Sequence, residues 1–406
     1  MRRAAEGSVI VRRASQAAVG RYTRRMRRDL PITLPGGMAA QRFLARHWQR
    51  RALLVRAAFP GFRGPLTRAR LFALASRDDV ESRLVQQERG RYALEHGPFP
   101  ARRLRALPPH DWTLLVQGVN LVDRDADALL RRFAFLPFAR LDDLMVSYAA
   151  PGGGVGPHFD SYDVFLLQGF GQRRWRYGTQ RDLALRRGLP VKILQHFRPT
   201  RDAVLQPGDM LYLPPRQAHD GVALDACTTY SIGFRAPTHQ EVLEAFLDHL
   251  RDHLHAPGRY SDAGAVAPTV HPGFVDRALV ARIAAPLARI RWNGRDVERF
   301  VGSFLSEPKP GVTFTPPPSP LPPALFRRRA GARGVRLDLR TQLLYDAHHA
   351  YVNGDALPMP RGARPLLARL ADRRMLSAAE CAAAPLSLID LLHDWHAHGY
   401  LELGTD

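Results

Sequence analysis

Short apolar runs separated by glycine and proline dominate the middle of the chain. Six of these runs have the length and flanking turn signals of β-strands, and they lie at residues 145–149, 164–168, 173–177, 203–205, 210–213 and 228–235. Strands this short and this regularly interrupted are typical of an antiparallel sheet that closes on itself. The pattern predicts a double-stranded antiparallel barrel between about residues 141 and 236.

The regions on either side of the barrel show helical periodicity. Apolar residues recur at helical spacing at 38–48, 126–135, 242–254, 274–290 and 295–305. The last three helices carry broad apolar faces, which need a partner to pack against. We therefore expect an α+β protein whose helices after Pro237 form a separate packing layer, with packing on the protein's own barrel as the alternative.

The C-terminal part begins after a proline-rich segment. Residues 308–323 contain eight prolines and predict an extended, semi-rigid linker. Short strands and short helices follow, with Asn353-Gly354 as a hairpin turn. The predicted domains are a basic mobile arm (1–33), the barrel domain (34–237), a helical region (238–307), the linker (308–323) and a C-terminal domain (324–406).

Two segments of the predicted barrel together suggest a metal site. His158 and Asp160 are two residues apart in an extended segment, so their side chains project from the same face. A lone pair of this kind is usually an ordinary turn, but His219 follows a tight turn, a strand and Pro214-Pro215. Two histidines and one carboxylate suit non-haem Fe(II) and leave positions open on one side of the ion.

The hairpin between these segments places an arginine beside the predicted site. On the returning strand Arg173, Trp175 and Tyr177 alternate with two further arginines. The aromatic face is the buried one, so Arg173 points inward, where a guanidinium needs an anionic partner such as a dicarboxylate. The alternative is a cation stacked on Trp175 at the rim of the barrel.

Two other patterns have competing interpretations. The glycines of residues 151–154 are similar to a phosphate cradle, but strands flank them and no helix begins there, so we expect a flexible lip of the active site. His393 and His396 share a helical face, as metal ligands often do. Without a third ligand, we expect these two histidines to be exposed to solvent.

Composition favours a globular protein of the cytoplasm. The 406 residues are 45% hydrophobic and include two cysteines without metal-type spacing, which indicates a reducing compartment. No apolar run is long enough to predict a membrane span. The net charge of +21 is compatible with contact to ribosomal RNA, but the near-exclusive use of arginine over lysine favours compositional bias. An arginine-rich start also resembles an organellar presequence, which is the less favoured interpretation.

At this point a family resemblance emerges from the motifs. Several runs closely resemble the bacterial ribosomal oxygenases, namely residues 142–145, 151–160, 162–168, 173–176, 207–209, 214–215 and 230–237. The resemblance extends from about Phe43 to the C-terminus. It implies a JmjC-type, cupin-fold barrel, a helical region that makes a homodimer interface, and a winged-helix-like C-terminal domain that binds protein or acts as a scaffold.

The resemblance also implies a reaction and roles for individual residues. The family uses Fe(II), 2-oxoglutarate and O2 to hydroxylate an arginine of a large-subunit ribosomal protein, protein number sixteen. Residue by residue, this implies that His158, Asp160 and His219 bind iron and that Arg173, with Ser147, contacts 2-oxoglutarate. The alternatives are hydroxylation of a histidine, a metal-binding cupin without oxygenase activity, and a JmjC-like scaffold.

The predicted substrate poses an electrostatic difficulty, because a strongly basic enzyme repels a basic ribosomal protein. A local acidic lining is needed to receive an arginine side chain. The acidic residues that flank the predicted metal ligands are Asp142, Asp143, Asp163 and Asp220. We expect the substrate contact to come from this group.

Overall fold

Two antiparallel sheets form the barrel that the strand pattern predicts. The computed structural model describes residues 33–88, 90–264 and 267–404. Up to residue 238 its elements are α1 (Ala40–Arg46), β1 (Leu53–Val55), α2 (Arg68–Ala75), β2 (Ser82–Glu88), β3 (Arg91–His96), α3 (Ala101–Arg105), β4 (Trp112–Val116), α4 (Arg124–Arg131), β5 (Leu141–Ala149), β6 (Val164–Gln168), β7 (Arg173–Gly178), β8 (Arg201–Leu205), β9 (Met210–Leu213), β10 (Ala218–Ala223) and β11 (Cys227–Phe234).

The large sheet has the strand order β1-β9-β6-β11-β5-β4-β2-β3, and the small sheet has the order β10-β7-β8. All the paired strands of these sheets run antiparallel. The predicted fold class, an α+β protein with a double-stranded barrel, is confirmed. Strand β10, which carries His219, is an addition to the six strands predicted from the sequence.

Alternation along the strands separates two faces of the large sheet. Phe165 of β6 and Tyr212 of β9 pack in the main core with Phe43 of α1. Their strand neighbours Leu166 and Leu211 instead pack with residues of β7 and β8 in a second cluster between the sheets. Residues that align with Leu166 and Leu211 on the neighbouring strands therefore point their side chains into the barrel.

The helical region is compact in its own right. It contains α5 (His239–His253), α6 (Arg277–Leu287) and α7 (Gly294–Ser306). Phe246 of α5 lies 5.1 Å from Phe300 of α7, measured between ring centroids. The described residues divide into two compact units, one containing His239–Val301 and the other containing the residues before and after it.

The C-terminal domain belongs to the same unit as the barrel. Its elements are α8 (Pro323–Arg333), β12 (Val335–Leu337), β13 (Leu343–Tyr345), β14 (His349–Val352), β15 (Asp355–Pro358), α9 (Arg364–Arg373), β16 (Met375–Leu376), α10 (Ala378–Ala382), α11 (Leu386–Ala397) and β17 (Leu401–Leu403). Two three-stranded sheets, β16-β12-β17 and β13-β14-β15, enclose a core with the helices. Arg124 of α4 joins this domain to the barrel by an ion pair with Glu402.

Several predictions about the outer parts of the chain remain untested. Residues 1–32 of the predicted basic arm lie outside the described residues, and the predicted domain boundaries stay predictions. Among the helices that the structure describes, none is long and apolar enough to cross a membrane.

Candidate active site

The backbone pairs the two predicted histidine ligands directly. The amide of His158 donates to the carbonyl of His219 at 2.9 Å, and the amide of His219 donates back to the carbonyl of His158 at 2.8 Å. His219 lies in β10, whereas His158 lies in the loop between β5 and β6. This isolated bridge brings two distant parts of the sequence to one point.

The three predicted ligand side chains converge on that point. One possible ligand atom from each of His158, Asp160 and His219 lies within 4.8 Å of the others. Nε2 of His219 is 3.6 Å from a carboxylate oxygen of Asp160, and the two imidazole rings are 4.2 Å apart between centroids. Among the described residues, this is the one group of three or more such side chains with metal-binding geometry.

Hydrogen bonds to the backbone orient both imidazoles for a metal. The Nδ1–H of His158 donates to the carbonyl of Gly156 at 2.8 Å, and that of His219 donates to the carbonyl of Gln217 at 2.8 Å. These bonds define the tautomer and direct the Nε2 lone pair of each ring to the shared point. The donor set and the tautomers therefore fit Fe(II).

Burial keeps His219 in the form that binds metal. Its side chain is almost fully enclosed, and burial lowers the pKa of His219 to about 4, with the neighbouring His158 adding to the effect. A metal ligand must be neutral imidazole. His219 is therefore ready to bind a metal at neutral pH without first losing a proton.

Trp175 packs beside His219, one of the three predicted metal ligands. It lies on β7 opposite Gly221 of β10, and its ring centroid is 5.9 Å from that of His219. A Cβ atom added at Gly221 would come within 2.6 Å of the Trp175 ring. The absence of a side chain at Gly221 therefore leaves room for the indole beside the strand that carries His219.

Arg173 is buried in the barrel, as predicted. Only 5% of its surface is exposed, and its Cζ lies 5.8 Å from the Trp175 ring centroid. Its Nη1 donates to Oγ of Ser147 at 3.4 Å, while buried Nε and Nη2 have no hydrogen-bond partner. The guanidinium forms no ion pair with the carboxylates that the structure describes, so it is suited to bind an anion.

Two interior polar residues were missed in the sequence. Thr229 of β11 pairs in register with Ser147 on one side and with Gln168 on the other. The Thr229 hydroxyl donates to Oε1 of Gln168 at 3.2 Å. Both residues are buried near the Arg173–Ser147 pair, and the period-two alternation of β11 is the signal that would have identified Thr229.

The glycine loop before the metal ligands is not the flexible lip that we expected. The amide of Gly152 donates to Ala223, and the carbonyl of Gly153 accepts from the same residue. A Cβ at Gly153 would lie 2.1 Å from the carbonyl oxygen of Trp112, and one at Gly154 would lie 2.6 Å from that of Gly221. The glycines are needed for close packing of the backbone and not for mobility.

The four acidic candidates lie in different environments. Asp163 accepts hydrogen bonds from Tyr212 and Gln49 in the core, and Asp220 pairs with Arg176. Asp142 and Asp143 both lie close to Lys309. Asp143 is the more enclosed of these two, with 3% of its surface exposed, and burial raises its pKa while Lys309 lowers it.

The histidines of α11 were wrongly expected to be exposed. His393 and His396 are half-buried. The ring of His393 hydrogen-bonds the carbonyl of Leu321, and that of His396 hydrogen-bonds the carbonyl of Leu401. They contribute to the packing of the C-terminal domain.

Comparison with known proteins agrees with this geometry. The JmjC domain matches residues 128–242, and the ROXA-like winged helix matches residues 289–402. The Escherichia coli ribosomal protein uL16 3-hydroxylase is 36% identical over 342 residues, which cover 83% of this chain and 89% of the relative. A probable ribosomal oxygenase of Haemophilus influenzae is 35% identical over 53% of this chain and 54% of its own length.

Solved structures show the same similarity across the chain. The structure of E. coli YcfD has a TM-score of 0.79 and 33% identity, and the match covers 89% of this chain and 97% of that one. YcfD, described as a ribosomal oxygenase, in complex with cobalt and 2-oxoglutarate has a TM-score of 0.77 at 33% identity, covering 90% of this chain and 98% of that one. The fold and the ligand cluster thus define a JmjC-domain oxygenase. Within that class, the chain belongs to the ribosomal oxygenase family.

Proposed function

We propose that this chain is an Fe(II)- and 2-oxoglutarate-dependent hydroxylase that acts in the cytoplasm on an arginine side chain of ribosomal protein uL16. The observation that carries the proposal is the cluster of His158, Asp160 and His219 in a barrel that also buries Arg173 without an anionic partner. The name of the E. coli uL16 hydroxylase and the YcfD complex with cobalt and 2-oxoglutarate support it.

The co-substrate site is built around Arg173. Its Nε and Nη2 atoms lie on one edge of the planar guanidinium, which matches the two oxygens of a carboxylate. The hydroxyl of Ser147 is 3.4 Å from Nη1 and adds a further polar group. These residues would bind the distal carboxylate of 2-oxoglutarate.

The iron site is built from His158, Asp160 and His219, whose side chains would hold the ion. When bound, Fe(II) with 2-oxoglutarate and O2 supplies the oxidation that yields succinate, carbon dioxide and a hydroxylated C–H position. The backbone carbonyls of Gly156 and Gln217 keep both imidazoles oriented. Trp175 and the apolar residues between the sheets exclude water around the co-substrate.

We assign Asp143 as the residue that binds the guanidinium group of the substrate arginine. Its Oδ1 lies 3.5 Å from where a Cβ atom would stand at Gly233 of β11, and Val164, the register partner of Gly233, packs between the two sheets. Asp163 is less suited because Tyr212 and Gln49 bind both of its carboxylate oxygens, and Asp220 is already paired with Arg176. The hydrogen bonds and the ion pair of Asp143 instead fall on Oδ2 alone. The remaining oxygen, Oδ1, would accept a charge-assisted hydrogen bond from the substrate guanidinium.

Turnover assays test the proposed reaction. Purified protein with Fe(II), ascorbate, 2-oxoglutarate and uL16 should form succinate and add one oxygen atom to an arginine, located by fragment mass spectra. Asp160→Asn should abolish both products, while Asp182→Asn, which removes a charge from an exposed residue, should retain them. If the added oxygen were found on a histidine, the substrate residue would be histidine and not arginine. No succinate from the wild type would favour a metal-binding or scaffold protein.

We also propose that the helical region forms a homodimer. Leu247 of α5 is 64% exposed and Phe274, just before α6, is 72% exposed, although both are large apolar residues. Exposed apolar surface of this extent is typical of protein interfaces. Light scattering should show a dimer for the wild type and a monomer for Leu247→Asp. The control is Leu224→Asp, which changes an exposed leucine in the turn between β10 and β11 and should leave the dimer intact. A wild type that stays monomeric at micromolar concentration would refute the interface.

A further inference from the structure

Lys309 links the segment after α7 to two adjacent acidic residues of β5. Its Nζ lies 3.0 Å from a carboxylate oxygen of Asp142 and 3.4 Å from one of Asp143. All three residues lie in the same compact unit. A single ammonium group therefore bridges two carboxylates, one of which is enclosed.

The choice of residue at this position is unusual for the chain. Lysine occurs only at 192 and 309, among 59 lysines and arginines in total. An ammonium is a compact charge with three donors, whereas a guanidinium is a planar fork. The compact group suits a position between two neighbouring carboxylates.

The backbone around Lys309 forms a defined turn. The amide of Val312 donates to the carbonyl of Lys309 at 3.1 Å, with Pro310 and Gly311 in between. Gly311 has a φ of +84°, which a type II turn requires at its third residue, and proline is favoured at the second. This turn limits the positions that the lysine side chain can reach.

The groups around Asp143 leave it dependent on this cation. Its carboxylate accepts from Nε2 of Gln117 and from the amide of Gly118, neither of which is charged. The charges nearest to it are Asp142 and Lys309, and Arg235 lies 3.8 Å from Asp142. Two further titratable groups lie nearby. Burial and neighbouring carboxylates, including Asp143, raise the pKa of Tyr162, and Arg83 donates to Oε1 of Gln117 at 3.3 Å.

We infer that Lys309 is a positioning residue for substrate recognition, which keeps the Asp143 carboxylate charged and oriented to accept the guanidinium of a substrate arginine. The inference rests on the proposed function. Burial disfavours the charged form of Asp143, and the Lys309 ammonium opposes that effect. Asp142 is paired with both Arg235 and Lys309, so Asp143 is the less compensated of the two carboxylates and the one that a substrate cation would meet.

Kinetics of Lys309→Met test the inference. We expect KM for uL16 to rise about tenfold, because a charge-assisted contact is weakened. The acidic limb of the kcat/KM profile should move to higher pH, because loss of the cation raises the pKa of Asp143. Succinate formed without uL16 should stay within about twofold of the wild type, since that reaction does not use the substrate pocket. Lys192→Met, at an exposed position, is the matched control.

A conservative variant and a binding measurement complete the test. Lys309→Arg should return the acidic limb to its wild-type position. In protein labelled with ¹³C at lysine alone, adding uL16 should shift the Lys309 signal and leave that of Lys192 in place.

Two kinetic outcomes would overturn the inference. One is a Lys309→Met variant with wild-type KM and pH profile, and the other is a lower KM, which would make the lysine a competitor of the substrate. An Arg variant as impaired as the Met variant would overturn the charge argument. A wild type that forms no succinate would instead refute the proposed function itself.

Discussion

Replacement of Arg173 by methionine is the most direct test of the co-substrate site. Methionine keeps most of the side-chain length but removes the charge and all donors. In the wild type, Nε and Nη2 are buried and have no acceptor in the described protein, so two donors are available to a bound carboxylate. Each hydrogen bond to a charged group contributes roughly 1.5–3 kcal/mol. We expect Arg173→Met to weaken 2-oxoglutarate binding by roughly 3–6 kcal/mol, or about 10²–10⁴-fold in Kd.

The same variant should behave differently in the absence of ligand. A buried guanidinium without an anion is costly, so its removal relieves an unfavourable charge. We expect the thermal unfolding temperature of ligand-free Arg173→Met to equal or exceed that of the wild type. A structural role for Arg173 would give the opposite result, with a lower unfolding temperature.

Calorimetry with Mn(II) in place of Fe(II) measures binding without turnover. The matched ligand is 2-oxobutyrate, which has the 2-oxo acid end but no distal carboxylate. It should bind the wild type and Arg173→Met with similar affinity. The substitution removes the partner of the distal carboxylate, and 2-oxobutyrate has no such carboxylate to lose. Wild-type affinity of Arg173→Met for 2-oxoglutarate would refute the assignment of Arg173.

Three further predictions follow from individual contacts. Gly221→Ala should weaken Mn(II) binding about tenfold or more, measured by calorimetry, because the new methyl group displaces the Trp175 ring beside His219. Asp163→Asn should lower the free energy of unfolding in urea by about 1–3 kcal/mol, without changing KM for uL16. Because burial lowers the pKa of His219 from 6.5 to about 4, the metal-free protein should lose stability as pH falls through this range. In His219→Asn, the unfolding temperature should depend less on pH over this range than in the wild type.

Local patterns were sufficient to locate most of the candidate site. The spacing of His158 and Asp160 placed both on one face, and strand alternation placed Arg173 inside the barrel. The predicted family and fold are confirmed by the comparisons. Each of these inferences depends on residues that are close in sequence or on a strong motif.

Contacts between distant segments could not be predicted in this way. Lys309 lies far along the chain from Asp142 and Asp143, and nothing in its local sequence indicates an acidic partner. The glycines at 152–154 were misread for a related reason. Glycine permits both mobility and close packing, and only the positions of Trp112 and Gly221 show which applies.

The paired amides and carbonyls of His158 and His219 have a consequence for metal exchange. Because main-chain hydrogen bonds join the two residues, the protein backbone and not an ion brings these two ligands together. We therefore expect the site to release and rebind an ion without unfolding. Chelators should therefore strip the protein reversibly, and the ion that it carries in a cell will reflect local supply as much as intrinsic preference.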